Sequence, residues 1–390
     1  MIVPKLAWRN LIGAGLRTWL NVVVLSFAFV AIIATQGLLK GMNDQAAQAM
    51  IDAEYGGGQY WHEMYDRFDP LTLRVAHGTP QSVLRDLVNR KEAAAILIVE
   101  GTLYCKGRMR TVLMKGIDPE QKILSLPSGF LHETSGDIPA MLGSRMARDA
   151  GIAAGDYVTV QWRDQKGTID ARDVRAVQVF SSSVQDVDNN QIWLPLSELQ
   201  GLARLEGEAT IVVVRKDLVQ APPVSGWLFQ TQDELLKDIR DLVRSKTLAH
   251  IIVYALLILL AMLAIFDTQV LSIFRRRKEI GTLMALGMTR GEVIRLFTVE
   301  GSLHGILAMF VAALYGAPLL TYLARVGWAL PPMTDSYGFA IGETLFPVFG
   351  AALVIGTTLL VLAVTTIVSF LPTRRISHLK PTDALRGRMT

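Results

Sequence analysis

The stretch FRRRKEIGTLMALGMTRGEVIRLF, residues 274–297, lies between two long apolar runs of this 390-residue chain. Four basic residues, 275–278, directly follow the first run, where they would lie among anionic lipid headgroups at the end of a membrane span. The apolar residues after them recur at helical spacing: Ile280, Leu283, Met284 and Leu286. Because Gly287 suits the left-handed residue that ends a helix, the stretch predicts a short helix beyond the membrane.

A second helix is predicted directly after the first. Thr289 and Glu292 match the S/T-x-x-E capping box, in which the threonine side chain accepts from the Glu292 backbone N–H and the glutamate side chain reaches back. Gly281, Ala285 and Gly287 are small enough for another surface to approach closely. The segment therefore predicts a rigid helix-turn-helix that contacts another protein.

Four uncharged runs indicate a membrane protein: 18–39, 247–266, 301–324 and 344–373. Each is long enough, since about 20 apolar residues cross the hydrocarbon core as a helix. Apolar residues make up 51% of the chain. The alternative, a set of buried helices in a soluble protein, is disfavoured by finding four such runs together. The first run is too long for a signal-peptide core and lacks a clear cleavage site, which indicates a retained anchor.

Lysine and arginine are concentrated on one side of these runs. They precede the first run, separate the second from the third and follow the fourth: Lys5, Arg9, Arg17, residues 275–278, Arg290, Arg295, Arg374, Arg375, Lys380, Arg386 and Arg388. The connection between the third and fourth runs carries only Arg325. Because positively charged loops stay in the cytoplasm, both termini and the 275–295 region are predicted to lie inside, and residues 41–246 outside.

The predicted fold is a membrane protein with four transmembrane α-helices and a large α/β extracytoplasmic domain inserted between the first and second. The predicted segments are a cytoplasmic amphipathic helix (1–17), span one (18–40), the extracytoplasmic domain (41–246), span two (247–274), the cytoplasmic region 275–295, span three (296–324), a short extracytoplasmic loop (325–343), span four (344–372) and a cytoplasmic tail (373–390).

Alternating β-branched and apolar residues predict strands in the inserted domain, in the segments AAAILIVEGTLY, MRTVLMKGI, DYVTVQW, VRAVQVF, NQIWLPL and ATIVVVR. A turn is predicted at Lys106-Gly107, and a helix that ends near Gly151. Apolar residues at helical spacing, from Leu235 to Val243, predict an amphipathic helix that continues into span two without a break. Such a helix would act as a stiff connection out of the membrane.

The sequence contains none of the common catalytic motifs. It has no G-x-x-x-x-G-K-[ST] phosphate loop, no H-E-x-x-H and no G-x-S-x-G, so neither ATP hydrolysis of the usual kind nor an intrinsic enzyme is expected. Cys105 is the only cysteine, which excludes an intrachain disulfide.

Three ionisable residues lie within or beside the predicted spans, where such residues are functional candidates: Asp267, Glu300 and His304. Glu300 and His304 share one helix face, and we favour the interpretation that Glu300 lies at the membrane interface while His304 hydrogen-bonds a neighbouring helix. Asp267 would pair with an arginine of 275–277 in a neighbouring subunit or face water. The small residues from Gly301 to Gly316 predict close helix packing, within the subunit or across a dimer.

The inserted domain opens with an aromatic-rich segment, residues 54–71, that contains His62, Glu63 and Asp66. Their spacing allows a metal site but lacks a fourth ligand, so structural packing is favoured and no metal is predicted. A third interpretation is that the aromatic residues contact a hydrophobic cargo or partner.

The motif RRKEIGTLMALGMTRGEV, residues 276–293, resembles the signature of the FtsX/MacB/LolC-LolE permeases, the type VII ABC transporter membrane subunits. The resemblance extends along the chain to LAWRNL and LRTWL near the N-terminus, VLMKGIDP (112–119), GIAAGDYVTV (151–160) and LPTRRISHLKPTDALRG (371–387). Asp267 departs from the pattern, because family members often have a neutral polar residue there.

The resemblance implies that the 280–290 segment is similar to a coupling helix held in a groove of a separate cytoplasmic ATPase. The implied coupling residues are Arg277, Glu279, Ile280, Gly281, Leu283, Ala285, Leu286, Gly287 and Thr289. ATP and Mg²⁺ would be bound by that partner and not by this chain. Two ATPase subunits would serve each complex, together with a second permease copy or a sister permease.

The resemblance also implies a function. ATP-driven closure of the ATPases would move the extracytoplasmic domain, most closely as in the LolC-LolE branch, which releases lipoproteins from the inner membrane. The expected location is the bacterial inner membrane, and the expected partners include membrane lipids, a lipoprotein or other hydrophobic cargo and a periplasmic adaptor or chaperone, but no nucleic acid. The alternatives are a MacB-like efflux or peptide-export permease and an FtsX-like regulator of a cell-wall hydrolase.

Overall fold

The computed structural model describes residues 16–132, 136–218, 222–329 and 344–374. The predicted amphipathic helix at 1–17 therefore lies outside the described residues apart from its last two, as do most of the 325–343 loop and the tail beyond Arg374. The chain divides into two units. We call the first the helical unit (1–42, 243–329 and 345–390) and the second the α/β unit (43–242 and 330–344).

The α-helices, in chain order, are α1 (Leu16–Met50), α2 (Ser82–Asn89), α3 (Ser144–Ala150), α4 (Gln185–Asn189), α5 (Leu196–Ala203), α6 (Gln232–Leu235), α7 (Lys237–Arg275), α8 (Arg277–Ala285), α9 (Arg290–Val326) and α10 (Ala351–Thr373). A π-helical turn, Ile51–Tyr55, extends α1, and 3₁₀ turns lie at Pro70–Arg74 and Ser128–His132.

The strands are β1 (Gln59–His62), β2 (Ala93–Cys105), β3 (Arg108–Ile117), β4 (Ile138–Gly143), β5 (Tyr157–Arg163), β6 (Ile169–Phe180), β7 (Gln191–Pro195), β8 (Ile211–Val214), β9 (Trp227–Gln230), β10 (Trp328–Ala329) and β11 (Thr344–Leu345). All six predicted strand segments are present as β2, β3, β5, β6, β7 and β8. The sequence patterns missed β1, β4 and β9.

Among the residues that the structure describes, four helices are long and apolar enough to cross a membrane: α1, α7, α9 and α10. The fourth begins at Ala351, seven residues later than the predicted apolar run. Residues Thr344–Leu345 form β11 instead, and Gly350, with extended backbone, is the N-cap of α10. Length and composition alone therefore overestimated this helix, since an uncharged run does not distinguish a helix from the segment that leads into it.

The helical unit has its own apolar core, formed mainly by α1, α9 and α10. Its buried members include Val22, Phe29, Ala308, Ala312 and Val361. The small residues of α9 allow close packing here: a Cβ at Gly316 would lie 2.7 Å from Val30 of α1, and one at Gly305 would lie 3.2 Å from Thr365 of α10. The predicted small-residue face therefore packs within the subunit at these positions.

Six strands of the α/β unit close into a barrel. Each pairs with the next around the ring β2-β3-β7-β4-β6-β5 and back to β2, and the N-terminal half of β2 also carries β8, β1 and β9. The turn between β2 and β3 has positive φ at both Lys106 and Gly107, as a tight hairpin requires. Val112, Val160, Trp162 and Ile192 are among the side chains that fill the interior.

A second core covers the outside of the barrel, where both long helices join the α/β unit. Met50 and Tyr55, at the end of α1, pack with Leu235 and Leu236 against Trp193 and other sheet residues. The amphipathic helix predicted to run unbroken from Leu235 is divided at Leu236, which is the C-cap of α6. From Lys237 onwards α7 is one helix as far as Arg275.

Candidate functional site

The region singled out from the sequence forms a compact helix-turn-helix of α8 and the start of α9. The turn between them is a Schellman motif: Met288 N–H donates to the Leu283 carbonyl and Gly287 N–H to the Met284 carbonyl, both at 3.1 Å. Gly287 has φ +102°, which a side chain would strain. The predicted end of the short helix therefore has the geometry that the glycine indicated.

The start of α9 has a complete capping box. The Thr289 backbone N–H donates to Glu292 Oε2 at 2.8 Å, and the Glu292 N–H donates to Thr289 Oγ1 at 3.3 Å. Backbone hydrogen bonds thus fix the end of α8, and the Thr289 and Glu292 side chains fix the start of α9. We call residues 276–297 the hairpin from here on.

An apolar cluster fills the inside of the hairpin. It contains Ile273 at the end of α7, Ile280 in α8, and Val293 and Phe297 in α9. Ile280 has no exposed surface, and Gly281 beside it is also buried. Such packing fixes the angle between the two helices, because interior side chains interlock at high density.

Arg276, at the break between α7 and α8, holds the hairpin through a network that sequence reasoning missed. Its guanidinium donates to Glu279 at 2.6 and 2.7 Å, and to both carboxylate oxygens of Glu300 at 2.9 and 3.1 Å. It also lies over the Phe297 ring, 4.9 Å from the centroid. These charge-assisted bonds from one planar group to two acids are of the strong kind, and they join α8 to α9.

The electrostatics of this network follow from the same contacts. Hydrogen bonds from Arg276 hold the pKa of the Glu279 carboxyl below its usual range, although partial burial of Glu279 opposes this shift. Hydrogen bonds to Glu279, together with the charge of Glu300, raise the pKa of Arg276 further above its usual value. The guanidinium and the Glu279 carboxylate are therefore both charged near neutral pH.

The predicted coupling residues divide into two groups in the structure. Ile280 and Gly281 are buried within the hairpin, so the prediction that they contact a partner directly does not match their position; they support the surface from beneath. Leu283 is half-buried, and the exposed group is Glu279, Ala285, Leu286, Gly287 and Thr289. Arg277 lies in α8, but its side chain is outside the described residues.

Leu286 is the most exposed large apolar residue of the hairpin, with 80% of its surface accessible. It lies at the tip, beside Ala285 and Gly287, and a Cβ built at Gly287 would meet no atom within 4 Å. The rigid turn therefore presents leucine, alanine and glycine to its surroundings.

The three ionisable candidates occupy different environments. Glu300 is buried and paired with Arg276. His304 is buried, and its Nδ1 lies 3.0 Å from the Glu300 backbone carbonyl of the same helix, whereas we had expected a bond to a neighbouring helix. A histidine bonds back to its own helix when the i−4 carbonyl is in reach. Asp267 is exposed on α7.

Directly beside this network, three helices meet at Gly301. A Cβ there would lie 2.2 Å from Ser369 Oγ of α10 and 2.8 Å from Gln269 Nε2 of α7. Gln269 and Ser369 are both buried. Polar residues within an apolar run are the signal by which Gln269 and Ser369 could have been found.

The aromatic segment of the α/β unit is organised by packing. The His62 ring lies edge-on to Trp227, with 5.8 Å between ring centroids, and its Nδ1 accepts from the Met64 N–H. Asp66 accepts from the Phe68 N–H in a local turn. Within the described part of the chain, no three histidine, cysteine or acidic residues converge in a way that would hold a metal ion.

The described residues thus contain four membrane-length helices, a rigid hairpin between the second and third of them, and an α/β unit after the first. Residues 251–381 match the FtsX-like permease C-terminal family, and this range includes the whole hairpin. The chain is thus similar to ABC transporter permeases of the FtsX, LolC and MacB type.

Two of its relatives are lipoprotein-releasing system transmembrane proteins LolC. The protein from Xylella fastidiosa is 23% identical over 340 residues, covering 80% of this chain and 81% of the relative. The protein from Neisseria meningitidis is 23% identical over 343 residues, covering 78% and 81%. A macrolide export ATP-binding/permease protein MacB from Chromobacterium violaceum is 27% identical over 157 residues, which is 39% of this chain and 21% of that protein.

Among solved structures, the extracellular domain of the noncanonic ABC-type transporter YknZ from Gram-positive bacteria matches 42% of this chain and 83% of its own length, at 15% identity. The TM-score is 0.27, too low to establish a common fold.

Proposed function

We propose that this protein is the permease subunit of an ABC transporter that releases lipoproteins from the bacterial inner membrane. The hairpin docks on a separate cytoplasmic ATPase, and the movement of that ATPase is passed through the long helices to the α/β unit. The observation that carries the proposal is the exposed tip at Leu286, supported from beneath by Ile280 and joined to α9 by Arg276.

Rigidity is what makes such a hairpin useful for transmission. A displacement at the tip would be lost in a flexible loop, because the loop would change shape before the span moved. Here the Schellman turn, the capping box and the Arg276–Glu300 ion pair leave the hairpin few soft positions. Force applied at Leu286 would therefore move the start of α9 directly.

ATP and Mg²⁺ belong to the partner in this proposal. The sequence contains no phosphate loop, so two ATPase subunits would supply the hydrolysis. Since the chain offers one hairpin, a second permease copy or a sister permease would provide the other docking site. The distribution of basic residues supports an orientation with the hairpin and both termini in the cytoplasm and the α/β unit outside.

The choice of cargo rests on how far the relatives match. The match to each LolC protein covers about four-fifths of this chain and about four-fifths of the LolC chain, so it includes much of the α/β unit. The MacB match covers 39% of this chain. Lipoprotein release is therefore favoured over MacB-like export, which remains the second candidate. An FtsX-like role in regulating a cell-wall hydrolase is the third.

Co-purification followed by mass spectrometry tests the proposal. We expect the tagged chain, extracted in mild detergent, to bring down an ABC ATPase and lipoproteins. An adaptor with an outer-membrane channel would favour export, and a peptidoglycan hydrolase would favour regulation. Absence of any nucleotide-binding subunit would overturn the proposal.

Labelling with a membrane-impermeant maleimide tests the orientation in the same cells. In a Cys105→Ser background, Ile169→Cys should react in intact cells, whereas Thr289→Cys should react only after the membrane is opened. Both positions are exposed in their own units, so burial does not limit the reaction. The reverse pattern would contradict the proposed orientation.

A further inference from the structure

The first long helix ends in an unusual way. After Met50 it continues as a π-helical turn, Ile51–Tyr55, closed by a bond of 2.8 Å from the Gly56 N–H to the Ile51 carbonyl. π-helical turns are rare and lie frequently at functional sites. In this chain the turn places Glu54 beside strand β3 of the barrel.

Glu54, whose side chain is 19% exposed, forms a largely buried ion pair with the barrel. Lys115 Nζ, in β3, donates to Glu54 Oε1 at 2.8 Å, and the lysine side chain is only 3% exposed. The same ammonium lies 5.2 Å from the centroid of the Trp193 ring in the adjoining strand β7. One salt bridge therefore joins the end of a membrane-length helix to two neighbouring strands.

The residues that follow the π-helical turn are closely packed. The Gly57 N–H donates to the Val214 carbonyl of β8 at 2.7 Å, and a Cβ at Gly57 would lie 2.2 Å from the Arg215 carbonyl oxygen. The Gln59 side chain also donates to the Glu54 backbone carbonyl at 2.8 Å. Glu54 is thus held from both its backbone and its carboxylate.

Stability does not explain a buried ion pair at this position. The free energy lost when two charges leave water is about as large as the free energy gained from their attraction. Apolar residues of similar size therefore usually stabilise a protein as much or more. What an ion pair adds is a defined register, since only one arrangement satisfies both charges. The pair therefore indicates that the position of the helix end relative to β3 matters.

A weaker contact holds the other long helix to the same part of the α/β unit. Arg67 lies 3.7 Å from Asp238, which is in the first turn of α7. Tyr55 and Glu54 are also close enough to Arg67 to raise the pKa of the Arg67 guanidinium. The ends of α1 and α7 thus share one cluster of charges. The Glu54–Lys115 pair is the buried member of that cluster, and the Arg67–Asp238 contact is its exposed one.

We propose that Glu54 and Lys115 are the positioning residues through which displacement of α1 reaches the barrel of the α/β unit. The proposal rests on the proposed function, in which an ATPase drives that displacement. Without the pair, the end of α1 shifts along the apolar surface formed by Trp193 and its neighbours. A given displacement of α1 then moves the barrel by a smaller distance.

The test uses the full chain with its ATPase in lipid nanodiscs, in a Cys105→Ser background. Nitroxide labels at Asp44→Cys, on α1, and Ile169→Cys, on the barrel, report the distance between the two by pulsed EPR, with and without ATP and vanadate. Both side chains are exposed. The test variant is the apolar pair Glu54→Leu with Lys115→Met, which leaves no unpaired buried charge. The matched control is the reversed pair, Glu54→Lys with Lys115→Glu.

We expect a nucleotide-dependent distance change in the unsubstituted pair, a change reduced by about half or more in the apolar pair, and recovery in the reversed pair. Basal ATPase activity and the thermal midpoint should stay the same in all three. A full distance change in the apolar pair would overturn the role of Glu54 and Lys115. If the unsubstituted complex binds no ATPase or shows no distance change, the proposed function itself fails, and the two results are distinguishable.

Discussion

Arg276 and Glu300 form an ion pair with 2.9 Å between Nη1 and Oε2, across 24 residues of sequence, at the point where the hairpin meets α9. Glu300 is largely buried, and Arg276 binds both Glu300 and Glu279. The pair makes α8 and α9 one mechanical unit. Four predictions follow from this arrangement and from the packing around it.

Arg276→Ala should destabilise the helical unit by about 3 kcal/mol, because it removes a charged partner of the buried Glu300 carboxylate. The measurement is the thermal midpoint of the purified protein in detergent. Arg275→Ala is the matched control, since Arg275 is exposed and precedes the network. Arg276→Ala combined with Glu300→Met should recover much of the loss. An Arg276→Ala protein as stable as the control would contradict this role.

Leu286→Asp should weaken ATPase association by about tenfold or more while leaving the thermal midpoint unchanged, because the side chain is exposed and contacts no core. Gly287→Asp and Leu283→Asp should also prevent association without preventing membrane insertion. Ile280→Asp should behave differently, because a charge placed in the buried cluster unfolds the hairpin and lowers the midpoint.

Pull-down of the ATPase and thermal unfolding, measured on the same preparations, separate these cases. Leu71→Asp, at an exposed leucine of the α/β unit, is the matched control and should retain the ATPase. Normal ATPase association by Leu286→Asp would contradict docking at the tip.

Gly301→Ala should destabilise the protein, because the new Cβ would lie 2.2 Å from Ser369 Oγ and 2.4 Å from its Cβ. Forcing atoms into a packed interface costs about 1–3 kcal/mol. Gly356→Ala, in the same bundle, is the control, since nothing lies within 4 Å of its Cβ. Adding Ser369→Gly should restore the midpoint by removing the clashing atoms. Equal midpoints for the two alanine variants would contradict the three-helix junction.

Glu279 should make the hairpin sensitive to acid. Its folded pKa is lowered from the usual 4.5 by the Arg276 hydrogen bonds, so its contribution is present above the unfolded pKa and is lost as the pH falls through the folded value. The contribution is small, under about 1 kcal/mol, because Glu279 is half exposed.

Thermal midpoints measured between about pH 7 and about pH 3 test this contribution. Glu279→Gln should be slightly less stable than the unsubstituted protein at neutral pH and should approach it at the acid end. A constant difference between the two proteins across that range would mean that the pKa of Glu279 is not shifted.

Local signals in the sequence were enough for much of the fold. The lengths of the apolar runs predicted four membrane-length helices, alternation predicted five of the six barrel strands together with β8, and the positions of Gly287, Thr289 and Glu292 predicted how the hairpin turns. These features depend on residues a few positions apart, which interact in the same way wherever the segment lies. Strands β1 and β9 lack the β-branched residues that mark the equally short β8, and the six-residue β4, IPAMLG, is buried almost throughout and does not alternate.

Tertiary structure alone decided which residues meet. That six strands close into a barrel, that Ile280 turns inward while Leu286 stays exposed, and that Arg276 pairs with Glu300 could not be read from spacing. The rotation of α7 and its break at Arg276 place this residue beside Glu300. The same holds for Glu54 and Lys115, 61 residues apart, because burial and charge pairing depend on how distant segments pack.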